Sequence, residues 1–242
     1  MLFIVTGAST GIGFAVARSL AIRNCHVIAV ARNVNQLHSL RCNYEDHIQI
    51  VPADLSTEQG RASLIEKAKL ADKVNGIVHA AGSLISPNAY HNLNASEMAA
   101  NLKIHVTVPI LLNVALENEL SDGRILFIDS DSATDPRIGW SGYSIIKAAA
   151  QMAARSAAEE ITKSNVIRVF PGAVRTPLVE SVLSTQQSSP TSDMFKDLDA
   201  KGTIAEPSLV GEFISEILVA ANDQQLKERE SWRFDNPADQ IF

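Results

Sequence analysis

Tyr143 and Lys147 stand four residues apart in Tyr143-Ser144-Ile145-Ile146-Lys147, near the start of an Ala-rich segment with helical patterning at 142–163. Four residues is close to one helical turn, so the two side chains share a face. An ammonium held beside a phenol favours the phenolate, and such a tyrosine can give a proton in a reduction and take one in an oxidation. A Tyr and a Lys at this spacing are also what a solvated surface pair looks like. What points to chemistry is their company. Ser130 follows the apolar run 124–128, where a hydroxyl at the C-terminal end of a strand can hold a substrate oxygen.

The second signal is Thr6-Gly7-Ala8-Ser9-Thr10-Gly11-Ile12-Gly13, directly after the apolar run 2–5 and opening a helical pattern at 11–23. Glycine there allows a tight turn and close approach of backbone to a pyrophosphate, which the N–H groups and dipole of a helix N-terminus favour. Three residues separate the first two glycines, unlike the usual dinucleotide fingerprint. The Ser9 hydroxyl adds a possible phosphate donor. At the end of the second apolar run, Val27-Ile28-Ala29-Val30-Ala31-Arg32, no acid is present to bind a ribose 2′-hydroxyl, and Arg32 offers a guanidinium suited to a 2′-phosphate. This favours NADP(H), with NAD(H) as the alternative and a solvated strand-end charge as the bland reading of Arg32.

Positioning these groups requires a parallel sheet wrapped by helices. Short apolar runs at 2–5, 27–31, 48–51, 76–79, 124–128, 166–170 and, weakly, 232–234 predict seven strands. Helical patterns at 11–23, 57–71, 95–119, 142–163 and 207–221 alternate with them, the signature of an α/β fold with a doubly wound parallel sheet and helices on both faces. No linker interrupts the series, so one domain over 1–242 is expected. The polar stretch 181–203 loses the rhythm and is expected to be a loop, within about 177–205, that is either a lid over a substrate or disordered.

Composition narrows the function classes. A chain of 242 residues with 46% hydrophobic and 20% charged residues fits one globular domain. The net charge of −6, from 27 acidic and 21 basic residues with no basic run, argues against nucleic acid and anionic membrane as partners. Cys25 and Cys42 lack metal-type spacing and are expected to be reduced, which suits the cytoplasm. The apolar N-terminus lacks a positive leader, and no stretch is expected to be long and charge-free enough to span a bilayer.

Taken in order, Thr6-Gly7-x-x-x-Gly11-x-Gly13, Ser130 thirteen residues before Tyr143, Tyr143-x-x-x-Lys147, and Pro171-Gly172-Ala173-Val174-Arg175-Thr176 resemble the short-chain dehydrogenase/reductase family over nearly the whole chain. The resemblance implies a single Rossmann-type domain that moves hydride between a nicotinamide cofactor and a carbonyl or alcohol, with Ser130, Tyr143 and Lys147 catalytic. It implies cofactor contacts from Gly7, Ser9, Thr10, Gly11, Ile12 and Gly13, from Arg32, Asp54 and Leu55, and from Ala80, Ala81 and Gly82. Tyr143, Lys147, Pro171, Gly172, Val174 and Thr176 complete that set. Asp54 matches the family's adenine-contacting acid, although an Asp opening a helix also reads as an N-cap. Thr10 stands where many NADP-preferring relatives carry Arg or Lys. A homodimer or homotetramer through the helices at 95–119 and 142–163 is implied as well.

Two positions depart from the family pattern. The usual Asn-Asn-Ala-Gly reads His79-Ala80-Ala81-Gly82, which keeps the small residues and loses both amides. Ile104-His105-Val106-Thr107-Val108-Pro109 aligns with the family's V-N-V-T-x-P, placing His105 where the fourth catalytic residue is an Asn; Asn101, one turn earlier, is the competing alignment. An imidazole can also hold water and relay protons, or be a packed histidine. Gly139-Trp140-Ser141-Gly142-Tyr143 and Ser231-Trp232-Arg233-Phe234-Asp235 resemble the sepiapterin and benzil reductases. The expected activity is NADPH-dependent reduction of a ketone or diketone. The alternatives are a nucleotide-binding sensor or scaffold of the same fold with weak catalysis, an NAD-dependent alcohol dehydrogenase, and, from the larger relatives, a sugar epimerase or dehydratase.

Overall fold

Seven apolar runs become strands in the computed structural model, which describes residues 1–82, 89–185 and 188–240. They are β1 (Leu2–Thr6), β2 (His26–Ala31), β3 (Ile48–Pro52), β4 (Gly76–His79), β5 (Arg124–Ile128), β6 (Asn165–Phe170) and β7 (Trp232–Arg233). All pair in parallel in the order β3-β2-β1-β4-β5-β6-β7. Strands buried on both faces carry continuous apolar side chains, which is why these runs do not alternate. Between β1 and β4 the winding reverses, and the carboxyl ends of the strands part there to form a crevice.

The connecting helices are α1 (Gly11–Ile22), α2 (Val34–Cys42), α3 (Glu58–Ala68), α4 (Ala95–Leu102), α5 (Val108–Ala115), α6 (Ser141–Glu160), α7 (Pro177–Leu183), α8 (Pro190–Ala200), α9 (Pro207–Ala220) and α10 (Asp223–Glu228). One face of the sheet is covered by α1, α2, α9 and α10 through Val16, Leu20, Leu37, Ile214 and Leu226. The other is covered by α3, α5 and α6 through Leu64, Ala68, Val108, Leu112 and Ala154.

Four expectations need correction. The stretch 181–203 is mostly helical: α7 ends within it and α8 fills its second half, with residues 186 and 187 outside the described residues. Ser189 caps α8 by accepting from the Ser192 N–H while the Ser192 hydroxyl accepts from the Ser189 N–H, and Pro190 sits at its first position. Helix α2 was not expected; its Asn33 cap accepts from Gln36 N, an N-cap three residues before a Gln. The helix expected at 95–119 is α4 and α5 joined by a π-helical stretch at Lys103–Thr107. Pro109 has no N–H to give the carbonyl of His105 four residues earlier, so regular α-helical bonding cannot run through this point. Finally, the continuous run Ala95–Ala115 is, by length and composition alone, long and apolar enough to cross a membrane. Its Val108 and Leu112 are instead spent on the core beside the sheet.

Candidate functional site

The Gly-rich turn opens α1 at the mouth of the crevice, with Gly7, Ser9, Thr10 and Gly11 lining it. Thr10, the N-cap of α1, makes no side-chain cap, so the first N–H groups of that helix have no partner from it. Gly7 adopts φ +68° and a Cβ there would lie 2.6 Å from Ala80 O, so only glycine lets β1 and β4 close over this turn. Thr6 Oγ1 fastens the same corner, donating to Val78 O and accepting from Ala80 N and Ala81 N, each at 3.1 Å.

A cleft of about 700 Å³ runs from this turn along the strand ends. Ser9, Thr10 and Gly11 to Gly13 line it at one side, Ala31, Arg32, Asp54 and Leu55 at another, and Ala80 to Gly82 at the floor. Asp54 is not the N-cap of α3, a place taken by Thr57. Its carboxylate accepts from Ser56 N at 2.9 Å. Hydrogen bonds from Ser56, hydroxyl first and then backbone, hold it below the usual carboxylate range. The N–H groups opening α1 and the exposed Arg32, with no acid at the end of β2, can donate to phosphate, and the ionised Asp54 can accept, which together suit a dinucleotide.

A second pocket of about 480 Å³ adjoins the cleft, and Tyr143 and Lys147 line both. Ser130 lines the second pocket, as do Pro171, Gly172 and Val174, while Thr176 borders both. The structure therefore brings Ser130, Tyr143 and Lys147 together but sets Pro171, Gly172 and Val174 on the far side of the shared wall from the cleft. Lys147 is buried and donates Nζ to Ile128 O at 2.9 Å, with Nζ 6.0 Å from the Tyr143 ring centre. Trp140 packs edge-on against Tyr143 at 5.2 Å.

Of the two competing positions on the helix before β5, His105 lines the cleft, whereas Asn101 is buried and donates Nδ2 to Glu97 O at 2.9 Å. The imidazole of His105 lies against Gly82, where a Cβ would come within 2.6 Å of Cε1. The glycine of His79-Ala80-Ala81-Gly82 thus makes room for the histidine.

His79 is buried, with Nε2 2.8 Å from Asn113 Oδ1 and its ring 4.9 Å from Phe127. Burial pushes its imidazole down to about 4, against a smaller opposing effect of the Asn113 hydrogen bond. The neutral ring with its proton on Nε2 donates to the Asn113 carbonyl. Because the folded protein protonates His79 only near pH 4 and the unfolded chain near 6.5, the unfolded state binds more protons in between. Stability is complete above that window and falls as pH is lowered through it, by about 3 kcal/mol in full. His79→Asn should flatten the pH dependence of the melting temperature between 6.5 and 4; equal slopes in wild type and variant would refute this account.

Three residues under the site were not anticipated. Asp129, one before Ser130, accepts from Ser130 N at 2.8 Å, from Gln151 Nε2 at 3.2 and 3.1 Å, and pairs with Arg168 at 3.2 Å. Tyr143, Lys147 and Gln151 fall four residues apart on one face of α6, and the last two clasp consecutive residues of the β5 end. Arg168 in the middle of the apolar run Val166–Phe170 was the available signal: a charge in a buried strand needs a buried partner.

Comparison with known proteins matches residues 2–187 to the family described as short chain dehydrogenase. An uncharacterized oxidoreductase of Schizosaccharomyces pombe is 25% identical over 239 residues, 96% of each chain. A benzil reductase ((S)-benzoin forming) of Bacillus cereus is 26% identical over 231 residues, 89% of this chain and 92% of that one. The crystal structure of the KRED1-Pglu enzyme superposes with a TM-score of 0.87 at 25% identity, covering 93% of this chain and 97% of that one.

Proposed function

The chain belongs to the short-chain dehydrogenase family, and from that premise we propose that this oxidoreductase uses NADPH to reduce a ketone or diketone to an alcohol. The observation that carries the reading is the shared wall: Tyr143 and Lys147 face the cleft and the second pocket at once, and Ser130 faces the second pocket. A bound nicotinamide supplies the hydride. The chain supplies the rest. The N–H groups opening α1, with Ser9, would hold its pyrophosphate, Asp54 and Leu55 would border its adenine, and Arg32 would bind its 2′-phosphate. Ser130 Oγ holds the substrate oxygen and Tyr143 gives it a proton, with Lys147 beside the phenol stabilising the phenolate left behind. His105, at the π-helical stretch bordering the cleft, is the group available to pass a proton onward to solvent.

Arg32→Ala tests the cofactor assignment. The ratio of kcat/KM for NADPH to that for NADH should fall about 10- to 100-fold, the loss of a charge-assisted phosphate grip. An unchanged ratio would count against Arg32 as the phosphate ligand. A second copy of the chain is the partner this reading expects, as a homodimer or homotetramer. Ile110, Leu111 and Val114 on α5, with Ile145 and Met152 on α6, are exposed apolar side chains that such a copy would cover. Cys25 and Cys42 are free thiols, in keeping with a cytoplasmic location.

A further inference from the structure

The second pocket holds a cation that the reaction above does not use. Arg137 lies between Ser130 and α6 and lines the pocket. The carboxylates that share the pocket are engaged by other arginines: Asp129 by Arg168 at 3.2 Å, Asp131 by Arg233 at 2.8 Å, and Asp235 by Arg233 at 3.2 Å. Every Asp and Glu side chain of the protein is among the described residues, and none comes within 4.0 Å of the Arg137 guanidinium. Its Nη1 instead meets Met194 Sδ at 3.0 Å, and a thioether is a weak acceptor.

The segment that carries this guanidinium is held by its surroundings. Arg137 N donates to Ser144 Oγ at 3.5 Å and Arg137 O accepts from Trp140 N at 2.9 Å, which ties the segment to the start of α6. From the other side α8 is fastened to it: Thr191 Oγ1 donates to Ile138 O at 2.7 Å, and the Phe195 ring stacks on Trp140 at 5.5 Å. Trp140 in turn packs against Tyr143. A planar cation with five donors therefore lines the same pocket as the Trp140 and Phe195 rings, Ser130 and Tyr143.

We infer that the substrate is a carbonyl acid, an aromatic or bulky apolar ketone that also bears a carboxylate. Arg137 binds the carboxylate through two parallel N–H donors, the geometry in which guanidinium and carboxylate match. Trp140 and Phe195 cover the apolar body, and the ketone oxygen lies at Ser130 and Tyr143. This assignment rests on the reductase reading above and adds the substrate class to it.

The test compares benzoylformate with its methyl ester as substrates for NADPH oxidation, using wild type, Arg137→Gln and Arg137→Lys. A parallel arm measures thermal stabilisation of the NADP-loaded protein by mandelate and by methyl mandelate. Wild type should prefer the acid over the ester in kcat/KM and be stabilised more by mandelate. In Arg137→Gln the acid-to-ester ratio should fall about 10- to 100-fold, through KM more than kcat, as expected for loss of a charged hydrogen-bonded pair. Arg137→Lys, which keeps the charge but not the fork, should lie between. Ester turnover with no acid preference, or an equal loss on both compounds in Arg137→Gln, overturns the carboxylate assignment and leaves the reductase reading standing. A mandelate preference that depends on Arg137, with no carbonyl reduced, supports the anion site and overturns the reductase reading.

Discussion

Tyr143→Phe is expected to lower kcat for ketone reduction by about 10²- to 10⁴-fold, the range for removing a positioned general acid, with little change in NADPH affinity. The substitution removes one oxygen and keeps the ring that packs against Trp140 at 5.2 Å, so the fold and the pocket wall should persist. Lys147 remains buried on Ile128 O, but no phenol is left for it to act on. Steady-state kinetics with a diketone, alongside direct titration of NADPH, separate the two quantities. A variant that turned over at the wild-type rate would remove Tyr143 as the proton donor.

Asp129→Ala should cost about 3 to 5 kcal/mol of stability, because it leaves the Arg168 guanidinium buried with its inner partner gone. For a domain of this size that is a fall of about 6 to 20 °C in melting temperature. Arg168 retains Glu230 at 2.7 Å, but that carboxylate is largely exposed, at 75% of its side-chain surface, and screened by solvent. Converting both residues, Asp129→Leu with Arg168→Met, should recover most of the loss, since an apolar pair removes the desolvation cost of both charges. Calorimetry on the single and double variants checks both statements. A single variant as stable as wild type would show that Glu230 alone satisfies Arg168. Even where the double variant folds well, kcat should remain low, because Ser130 N loses its acceptor on Asp129.

The helix that covers the site illustrates how local sequence and tertiary packing divide the work. Pro109 stands four residues after His105, and that spacing alone excludes a regular helical bond at His105. Apolar periodicity nevertheless runs straight through the resulting π-helical stretch, so the pattern alone predicts one continuous helix there. Likewise Ser189-Pro190 carried the start signal of α8, but the polar composition around it masked Met194, Phe195 and Leu198, which line the second pocket. The cap of α2 was also present in Asn33 and Gln36. These signals are short-range, and the composition of the residues around each runs against them.

The sequence by itself determined the sheet, the crevice and the placing of Tyr143 and Lys147 on one helix face beside it. Apolar runs of strand length, a glycine turn and a Tyr-x-x-x-Lys helix are local patterns whose geometry follows from backbone sterics and helical pitch. It also located Arg32, Ser130 and His105 at the strand and helix ends that border the site. Only the tertiary structure decided which charges near Tyr143 and Lys147 are already neutralised. Asp129 and Arg168 are 39 residues apart and Asp131 and Arg233 are 102 apart, so their pairing depends on how β5, β6 and β7 line up and not on spacing along the chain. The same packing leaves Arg137 with no Asp or Glu side chain within 4.0 Å and turns His105, not Asn101, toward the cleft. The face of α6 that carries Tyr143, Lys147 and Gln151 can be read from spacing; its environment depends on contacts made across the sheet.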